Sequence, residues 1–431
     1  MTGGPEAVSR RGRWLLIGIC LLAFAARAAA FAVLDRFHHP EFWEPETVAM
    51  NLLQGKGFVY PFYGTVYRSY IEPLYPLMCA LIYALTNHSI IALAAVQALL
   101  GAVLVRLVFA CSRHVAGEPV ALLAALLVAL HPGLIVYATK FHPFVLDSAL
   151  FVSVLAACLA FAARPRWRSL VTLGVLVGLC LLSRPTIVAC LPLIAWWVWS
   201  RSRGSERIRP LLGVGIVLAC AALISGIWVA RNYRIHRRFM LTRSGTSLVF
   251  WLGNNPYRFT GSALDPTGEP LLNAIPTDVH QQLLTLDELG QQDFLMAQAR
   301  EHVRRHPIEF LKRWALKWWY FWWFSPQAGL LYDARWFRAY QGLDLGLIGC
   351  ALIGLWGFWH DPSADEARRG AARLVIGFCL SIAFLQSLFY IEGRHRLAIE
   401  PLLLIFTGYG LWWLAARAFL TRRVAVAVRS R

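Results

Sequence analysis

The chain has 431 residues, of which 58% are hydrophobic and only 15% are charged, and its formal net charge is +18. A soluble globular domain carries about a quarter charged residues, so this composition excludes an ordinary soluble protein and predicts a membrane protein. Its positive charge is typical of cytoplasmic loops and of contacts with anionic lipid, and we expect no nucleic-acid partner. The nine cysteines lie mainly inside apolar runs and form no CxxC pair, so neither a disulfide framework nor a cysteine metal site is predicted.

Apolar runs recur along the chain and predict an all-α polytopic protein with about ten transmembrane helices. The first run, 14–34, is interpreted as a retained span, and Arg10, Arg11 and Arg13 before it predict a cytoplasmic N-terminus. The short run 73–85 is predicted to lie in the interface or to re-enter the membrane. The other crossings are predicted at 90–109, 120–137, 144–161, 170–182, 187–199, 211–229, 343–359, 374–389 and 397–415.

This pattern divides the chain into three predicted regions. Residues 1–230 form an N-terminal transmembrane module that includes a first outer loop at about 35–72, residues 231–316 form an extracytoplasmic loop region, and residues 317–431 form C-terminal transmembrane helices. Within the second region, 286–305 has a helical pattern. The aromatic run 317–324 is typical of the boundary between water and lipid.

The first outer loop contains the sequence FWEPETVAMNLLQGKGF at 42–58. Pro45 fits the first position of a helix, which leaves Glu44 extended at the mouth of that helix. Glu46 then falls in the first turn, where the helix dipole stabilises any acid. Glutamate is not a favoured N-cap, so a purely structural role explains Glu46 better than Glu44. Glu44 is therefore the first candidate for a functional carboxylate.

The predicted topology places on the outer face the polar residues that composition does not explain. Arginines there oppose the positive-inside trend. Snorkelling or pairing with a nearby acid explains any one of them equally well, but together they predict a bound polyanion. Arg394 and Arg396, with His395 between them, suit a phosphate at the membrane boundary. The set comprises Glu41, Glu44, Glu46, Arg68, Glu72, Lys140, His142, Asp147, Arg184, Arg231, Asn232, Tyr233, Arg234, Glu392, Arg394, His395 and Arg396.

Carboxylates beside a phosphate site predict a group transfer on the outer face, where an activated donor has to be carried by a lipid as a phosphate ester. A carboxylate would accept the proton of an acceptor hydroxyl as that hydroxyl attacks the anomeric carbon. Cations would neutralise the phosphate that leaves on its lipid. We expect the isoprenoid tail to lie in an apolar groove between spans.

Several short motifs resemble those of one family of membrane enzymes. The pattern W-E-x-x-x-V-A-x-x-L-x-x-G-x-G-F at 43–58, followed by P-L-Y-P at 73–76, resembles the bacterial GT-C glycosyltransferases, which include protein O-mannosyltransferases and lipid A aminoarabinose transferases. Further matches follow in the same order: H-P at 131–132, D-S-A-L-F at 147–151, L-S-R-P at 182–185, R-N-Y at 231–233, G-N-N-P at 253–256 and R-H-R-L at 394–397. The resemblance implies the GT-C fold, with outer-face juxtamembrane helices and a large extracytoplasmic loop, in a bacterial cytoplasmic membrane. Ala398 departs from the family, which usually has proline there.

The resemblance also implies roles for individual residues. Glu44 matches the position of the catalytic acid, with Glu41 or Glu46 as alternative bases because relatives more often carry aspartate in this region. Asp147 matches an acidic position of the second outer loop. It implies that Arg394 and Arg396 contact the lipid phosphate. To these we add Arg68, Arg231 and His395 as candidate contacts to the donor phosphate and lipid, and Glu41, Lys140, His142, Tyr233 and Asn254 as candidate substrate contacts. Turn formation is the competing explanation for Asn254.

No cofactor is predicted. The histidines His38, His39 and His142 are scattered without metal-ligand spacing, although some members of the wider superfamily use a divalent ion. We expect an inverting glycosyltransferase that moves a sugar from a polyprenyl-phosphate donor to a glycan, lipid or protein acceptor. The alternative is a transporter or flippase of lipid-linked saccharides, which would carry polar or broken helices near mid-membrane. A third hypothesis, a non-catalytic assembly subunit, predicts that Glu44→Gln has no effect. Ionisable residues on a single face favour the enzyme.

Overall fold

The structure is a computed structural model that describes residues 7–203, 208–257, 259–330 and 332–429, with side chains to residue 419 apart from that of residue 274. Helices supply nearly all of its regular structure. The first part contains α1 (Arg10–Val33), α2 (Glu44–Leu53), α3 (Leu74–Thr86), α4 (Ile90–Val115), α5 (Glu118–Leu130), α6 (Pro132–Ala138), α7 (Phe144–Ala163), α8 (Trp167–Ser183), α9 (Leu191–Ser202) and α10 (Pro210–His236). Strands β1 (Tyr60–Phe62) and β2 (Thr65–Tyr67) form an antiparallel hairpin after α2.

The second part contains α11 (Thr246–Asn254), α12 (Thr277–Leu284), α13 (Glu288–Arg305), α14 (Pro307–Trp322), α15 (Ala334–Trp359), α16 (Glu366–Gln386) and α17 (Glu400–Arg429). Short 3₁₀ turns at Pro185–Cys190 and Gly393–Ala398 connect α8 to α9 and α16 to α17. The helical pattern predicted at 286–305 is confirmed as α13. The predicted region boundaries at 230 and 316 fall inside α10 and α14.

Seven helices of the described chain are long and apolar enough to cross a membrane, namely α1, α4, α7, α10, α15, α16 and α17 as far as Phe419. Helices α5 and α6 make an eighth if they count as one span, bent by 48°. The crossings predicted at 170–182 and 187–199 correspond to α8 and α9, which have 17 and 12 residues. A 3₁₀ turn beginning at Pro185 separates them, because proline cannot continue a helix, and both pieces are shorter than the roughly 20 residues of a typical span.

A buried arginine stabilises the bend between α5 and α6. Pro132 has no backbone N–H, so it leaves the Val128 carbonyl without its usual helical donor. The Arg27 guanidinium of α1 donates to the Val128 and Ala129 oxygens at 3.4 and 3.3 Å, and to the Ala23 oxygen at 3.0 Å. Arg27 is only 1% exposed. The positive charge of Arg27, which lies inside the first span, is therefore stabilised by carbonyl oxygens at the bend between α5 and α6.

Glycines bring α15 and α17 into backbone contact. A Cβ added at Gly354 would lie 2.0 Å from the Phe406 oxygen, and one added at Gly410 would lie 2.0 Å from the Cys350 oxygen. Without a hydrophobic driving force between helices in lipid, such close approach is a main source of helix association. Any larger residue at either position would separate the two helices.

The region after α10 docks on the first loop. Leu248, Trp251, Leu283 and Leu295 form part of a hydrophobic core of its own. The Tyr67 hydroxyl of β2 donates to the Gln291 side-chain oxygen at 2.6 Å, a contact that joins the hairpin to α13. This docking fixes the first loop against the rest of the outer-face region that the sequence predicts.

Candidate active site

The candidate site begins where the first loop enters α2. The helix begins at Glu44, one residue before the position predicted from Pro45, and the extended residue is Trp43, with φ −125° and ψ 179°. No side chain caps this end. The helix N-terminus therefore presents Trp43 and Glu44 side by side, with their backbone geometry set by the proline that follows.

Glu44 has a half-buried carboxylate that makes no hydrogen bond or ion pair with any described residue. Tyr60 and Tyr70 lie near it and stack on each other with ring centroids 4.8 Å apart. Burial and then the charge of Glu44 raise the pKa of both phenols, so these hydroxyls stay protonated. An unpaired carboxylate beside an aromatic wall is available to accept a proton from a ligand.

The two other candidate bases of the loop, Glu41 and Glu46, have surroundings that differ from those of Glu44. Glu46 faces α3, close to Tyr83, where its Oε2 is buried without a hydrogen bond and burial raises its pKa. Glu41 is ion-paired with Lys140 Nζ at 2.6 Å and with Arg36 at 2.9 Å. Of the three candidate bases, Glu44 alone is both accessible and unpaired.

Three loops that are distant in sequence meet around Trp43, in a group that we call the Trp43 cluster: Trp43, Lys140, His142, Phe144 and Arg394. The Arg394 guanidinium carbon lies 4.9 Å from the centre of the indole ring, and Lys140 Nζ lies 6.0 Å from it. The His142 ring is 5.0 Å from Trp43 and stacks on Phe144 at 3.8 Å. The cluster thus brings together three residues that the sequence predicts as site residues.

Two nitrogens of this cluster are buried without hydrogen bonds. Trp43 Nε1 and His142 Nδ1 both have no partner among the described residues. Burial, followed by the charge of Arg394, lowers the pKa of His142 well below its usual value, so its ring is neutral at pH 7. Buried polar atoms are normally satisfied, so these two nitrogens mark a place where a ligand would complete the hydrogen bonding.

The last loop supplies Arg394 to this cluster. Its guanidinium pairs with Glu392 at 2.6 Å and donates to the Tyr390 hydroxyl at 3.4 Å. The side chain is 17% exposed, so one face remains open. Arg394 is therefore held by a single carboxylate and keeps donors for an anion.

Arg396 lies in a different group, which we call the Arg396 cluster: Arg396, Asp344, Glu400 and His131. The guanidinium pairs with Asp344, pairs with Glu400 at 2.7 Å and donates to the Trp322 oxygen at 2.7 Å. His131 Nε2 lies 3.6 Å from the second Glu400 oxygen. With two carboxylates around it and 6% exposure, Arg396 joins the last loop to α15 and α17.

Asp147 is buried in a network that joins four elements. Its two oxygens accept from the Ser183 hydroxyl at 2.6 Å and from Arg184 at 3.4 Å. Arg184 continues to Gln386, whose amide lies 3.4 Å from His395 Nδ1. Burial and then Arg394 lower the pKa of His395 well below its usual value, so this ring is neutral. Asp147 and His395 are thus linked to each other through Arg184 and Gln386, and their predicted site roles stay predictions.

The predicted residues Arg68, Arg231 and Tyr233 lie together, apart from Trp43. Arg231 donates to the Arg68 carbonyl at 2.6 Å and to the Ser69 hydroxyl at 2.9 Å, and its guanidinium lies 4.5 Å from the centre of the Trp228 ring. The Arg68 and Tyr233 side chains are exposed. Arg231 thus fixes the end of the first loop on α10, and Arg68 presents a free cation there among the described residues.

Asn254 and the buried Lys317 together connect segments that are distant in the chain. The sequence analysis did not identify Lys317. The Asn254 amide donates to the Phe250 and Leu388 oxygens, and its side-chain oxygen accepts from Lys317 Nζ at 3.0 Å. Lys317 also donates to the Gly253 and Leu388 oxygens. Burial lowers the pKa of Lys317 to about 7, but three acceptors match the three donors of an ammonium group, so we favour the charged form. The only indication in the sequence was that Lys317 begins the aromatic run KWWYFWWF at 317–324.

Trp43 was also missed as part of the site, and Glu392 was placed on the outer face without a role in the site. A tryptophan directly before the predicted acid was the available signal for the first, and an acid two residues before Arg394 was the signal for the second. Among the described residues, no three histidine, cysteine, aspartate or glutamate side chains converge as they would around a metal ion.

Comparisons with known proteins agree with this architecture. The family model of dolichyl-phosphate-mannose-protein mannosyltransferases matches residues 72–228, which run from the end of the first loop through most of α10. No curated protein matches the sequence of this chain.

Solved structures of an oligosaccharyltransferase from Archaeoglobus fulgidus are similar in fold. The apo form is 14% identical and superposes with a TM-score of 0.56, covering 97% of this chain and 52% of that one. The AglB complex with an inhibitory peptide and a dolichol-phosphate is 14% identical with a TM-score of 0.54, again covering 97% and 52%. The present chain spans about half the length of these proteins. The chain thus has a fold similar to that of these oligosaccharyltransferases, and its residues 72–228 match the mannosyltransferase family model, in agreement with the resemblance of its motifs to GT-C glycosyltransferases.

Proposed function

We propose that this protein is a membrane glycosyltransferase that takes a sugar from a polyprenyl-phosphate donor and transfers it to a hydroxyl of a glycan, lipid or protein. One observation carries the proposal: the unpaired carboxylate of Glu44 stands directly beside Trp43, around which two cations gather. The family match supports a lipid-linked sugar, because that family is named for a dolichyl-phosphate mannose donor.

In the proposed step, an acceptor hydroxyl attacks the anomeric carbon from the face opposite the phosphate. The new glycosidic C–O bond forms as the bond between the anomeric carbon and the phosphate oxygen breaks, and configuration inverts. The bonding electrons leave with polyprenyl phosphate, and the hydroxyl proton passes to Glu44. Atoms and charges balance without any oxidant or cofactor.

The leaving phosphate gains negative charge as this bond breaks, so the site needs cations held in advance. Arg394 and Lys140 fit this role because each is held by one carboxylate and lies against the face of Trp43. The buried nitrogens of Trp43 and His142 fit the contacts of a polar ligand. Asp147 supports the site through Arg184 and Gln386.

We further propose that the site opens to the extracytoplasmic side of a bacterial cytoplasmic membrane. The support is the positive-inside pattern of the sequence, with Arg10, Arg11 and Arg13 at the start of α1. Helix α1 runs from these arginines to the first loop, so the loop and the N-terminus lie at opposite ends of that span.

The test is release of polyprenyl phosphate by the purified protein when polyprenyl-phosphate sugars are supplied singly. Glu44→Gln keeps the size of the side chain and removes the base, so we expect release to fall by about a hundredfold or more. Asp35→Asn is the matched control, because Asp35 is an exposed acid of the same loop whose ion-pair partners among the described residues are His38 and His39. It should release product at the wild-type rate.

Other outcomes would change the assignment. Loss of release in Glu46→Gln or Glu41→Gln, with Glu44→Gln unaffected, would move the base within the loop. Equal release by wild type and all three variants would remove general-base catalysis from this loop. Saturable donor binding without release from any donor would contradict the enzyme and favour a transporter of lipid-linked saccharides.

A further inference from the structure

A cavity with one acidic and one basic side chain in its lining lies at the end of the helix bundle opposite the candidate active site. Gln97, in the first half of α4, donates to the Ala138 and Lys140 oxygens beside the Trp43 cluster. Helix α4 ends at Val115, which is about 27 Å farther along at 1.5 Å per residue. At that end the α4–α5 turn faces the α15–α16 turn and one side of α17. A cavity of about 180 Å³ separates them.

The cavity contains one cation and one anion that are not paired with each other. The Arg368 side chain is half-buried and makes no hydrogen bond or ion pair with any described residue, since only its backbone N–H is bonded, to Asp365. Asp361 accepts from the Tyr409 hydroxyl at 2.6 Å and from the Ser363 backbone N–H at 2.8 Å. These two bonds hold the carboxylate in place and leave lone pairs on both oxygens for a further donor.

Aromatic side chains form the apolar walls. Phe358 and Tyr409 meet with ring centroids 5.5 Å apart, and Trp412 lies 6.0 Å from Tyr409. Trp412 is 42% exposed on the outer surface of α17, a helix long and apolar enough to cross the membrane. Tryptophan at the end of a span is typical of the headgroup level of a bilayer. The cavity thus has an exposed aromatic surface on one side and two separate, opposite charges in its lining.

We propose that this cavity binds the headgroup of a zwitterionic phospholipid with a primary ammonium, that is, phosphoethanolamine chemistry. Arg368 would contact the phosphate, and Asp361 would accept a hydrogen bond from the ammonium. A single water needs roughly 10–15 Å³ on the same measure, so about 180 Å³ accommodates the headgroup.

The charges select among headgroups. The phosphate of phosphatidylglycerol could also contact Arg368, but its glycerol headgroup brings no positive charge to Asp361. A trimethylammonium group cannot donate a hydrogen bond to that carboxylate. We therefore expect the cavity to bind phosphatidylethanolamine more tightly than phosphatidylglycerol or phosphatidylcholine.

The test is native mass spectrometry of the delipidated full-length protein in detergent, titrated with dioleoyl phosphatidylethanolamine, phosphatidylglycerol and phosphatidylcholine. Loss of a charge-assisted contact corresponds to about tenfold in affinity, so we expect Arg368→Gln to weaken phosphatidylethanolamine binding by about tenfold or more and Arg368→Lys to restore part of it. Arg373→Gln is the matched control, because Arg373 lies on the same helix in an exposed pair with Glu366 and should bind like wild type.

Asp361→Asn tests the selectivity, because it should retain lipid binding and lose the preference for phosphatidylethanolamine over phosphatidylglycerol. If this variant does not fold, Arg368→Gln and Arg368→Lys still decide the question. Equal binding by Arg368→Gln and wild type would overturn the proposal. So would equal competition by inorganic phosphate and soluble phosphoethanolamine, since the ligand would then be a free phosphate. Sugar transfer is measured separately, so this site and the proposed enzyme can fail independently.

Discussion

Arg394 and Arg396 belong to the same 3₁₀ turn, two residues apart, yet they occupy opposite kinds of surroundings. Arg394 has one carboxylate partner, lies against the ring of Trp43 and keeps 17% of its side chain exposed. Arg396 has two carboxylate partners from two spans and a backbone carbonyl. The first is arranged to meet a ligand, and the second is arranged to hold helices together.

The difference follows from how many negative groups each cation already neutralises. A guanidinium with two carboxylates and 6% exposure has no free charge to offer, and releasing it would leave both acids buried and unpaired. A guanidinium with one carboxylate and an aromatic face can add a second anion at little cost. The two arginines of the R-H-R motif thus differ in their number of carboxylate partners, a difference that the motif itself does not show.

The largest effect is expected from Arg396→Met, which removes the cation between Asp344 and Glu400. Breaking a buried ion pair from one side costs about 3–5 kcal/mol of folding stability. We expect a clear fall in the thermal unfolding midpoint of the purified protein in detergent. Arg373→Met, which breaks an exposed pair with Glu366, is the control and should cost no more than about 1 kcal/mol. A variant that unfolds at the wild-type temperature but no longer turns over would place Arg396 at the donor phosphate instead.

Next in size is Arg394→Gln, which removes a cation from the Trp43 cluster. Loss of one preorganised donor to a developing charge typically lowers turnover by about a hundredfold or more. We expect that fall in polyprenyl-phosphate release, with the unfolding midpoint close to that of wild type. Arg394→Lys keeps the charge and should recover part of the rate. If instead the midpoint of Arg394→Gln falls as far as that of Arg396→Met, the two arginines are both structural.

A smaller effect is expected from Trp43→Phe, which keeps an aromatic ring and removes the buried indole N–H. The weaker cation–π contact with Arg394 costs about 0.5–2 kcal/mol. We expect KM for the donor to rise by about tenfold while kcat changes less, because the contact binds the ground state as well. Trp228→Phe is a control of the same kind, since its ring contacts Arg231 and lies apart from Trp43. Equal effects of both substitutions would argue against a special role for the Trp43 cluster.

The smallest effect concerns the pH dependence of stability at Glu46. Burial raises the pKa of this carboxyl above its ordinary value of 4.5, so the folded state binds its proton more tightly than the unfolded state does. The unfolding free energy should therefore fall as pH rises from the ordinary pKa to the folded one. We expect Glu46→Gln to unfold at a higher temperature than wild type at pH 7, with the gain vanishing at pH 4. A gain that persists at pH 4 would assign the effect to packing against Tyr83.

Much of the fold was predictable because it depends on local pattern. Apolar runs located the long helices, and the helical pattern at 286–305 located α13. The count of spans differed because the runs 170–182 and 187–199, which were predicted as two crossings, form α8 and α9, and each of these helices is too short to count as a span. The environment of Arg27 could not be predicted from local pattern, because its partners include carbonyl oxygens that are exposed only by the bend before Pro132.

The candidate site was predictable as a set of residues but not as a geometry. Glu44 and Arg394 were chosen from the topology and the motifs, and their roles stay predictions. Only the structure shows that the Glu44 carboxylate is unpaired among the described residues. The ion pair between Lys140 and Glu41 could not be predicted, because it joins two loops about a hundred residues apart in the chain. Lys317 was hidden in an aromatic run, and its three acceptors come from two other segments.

By itself the sequence determined that this is a helical membrane protein with GT-C motifs in order, because hydropathy and short-range motifs are properties of neighbouring residues. Only the tertiary structure decided which charges are free. Ion pairs such as Arg396 with Asp344 join residues far apart in the chain, and whether a buried cation has one carboxylate or two depends on how helices pack. Glu44 and Arg394 differ from Glu41 and Arg396 for that reason, although each pair lies within three residues of the same loop.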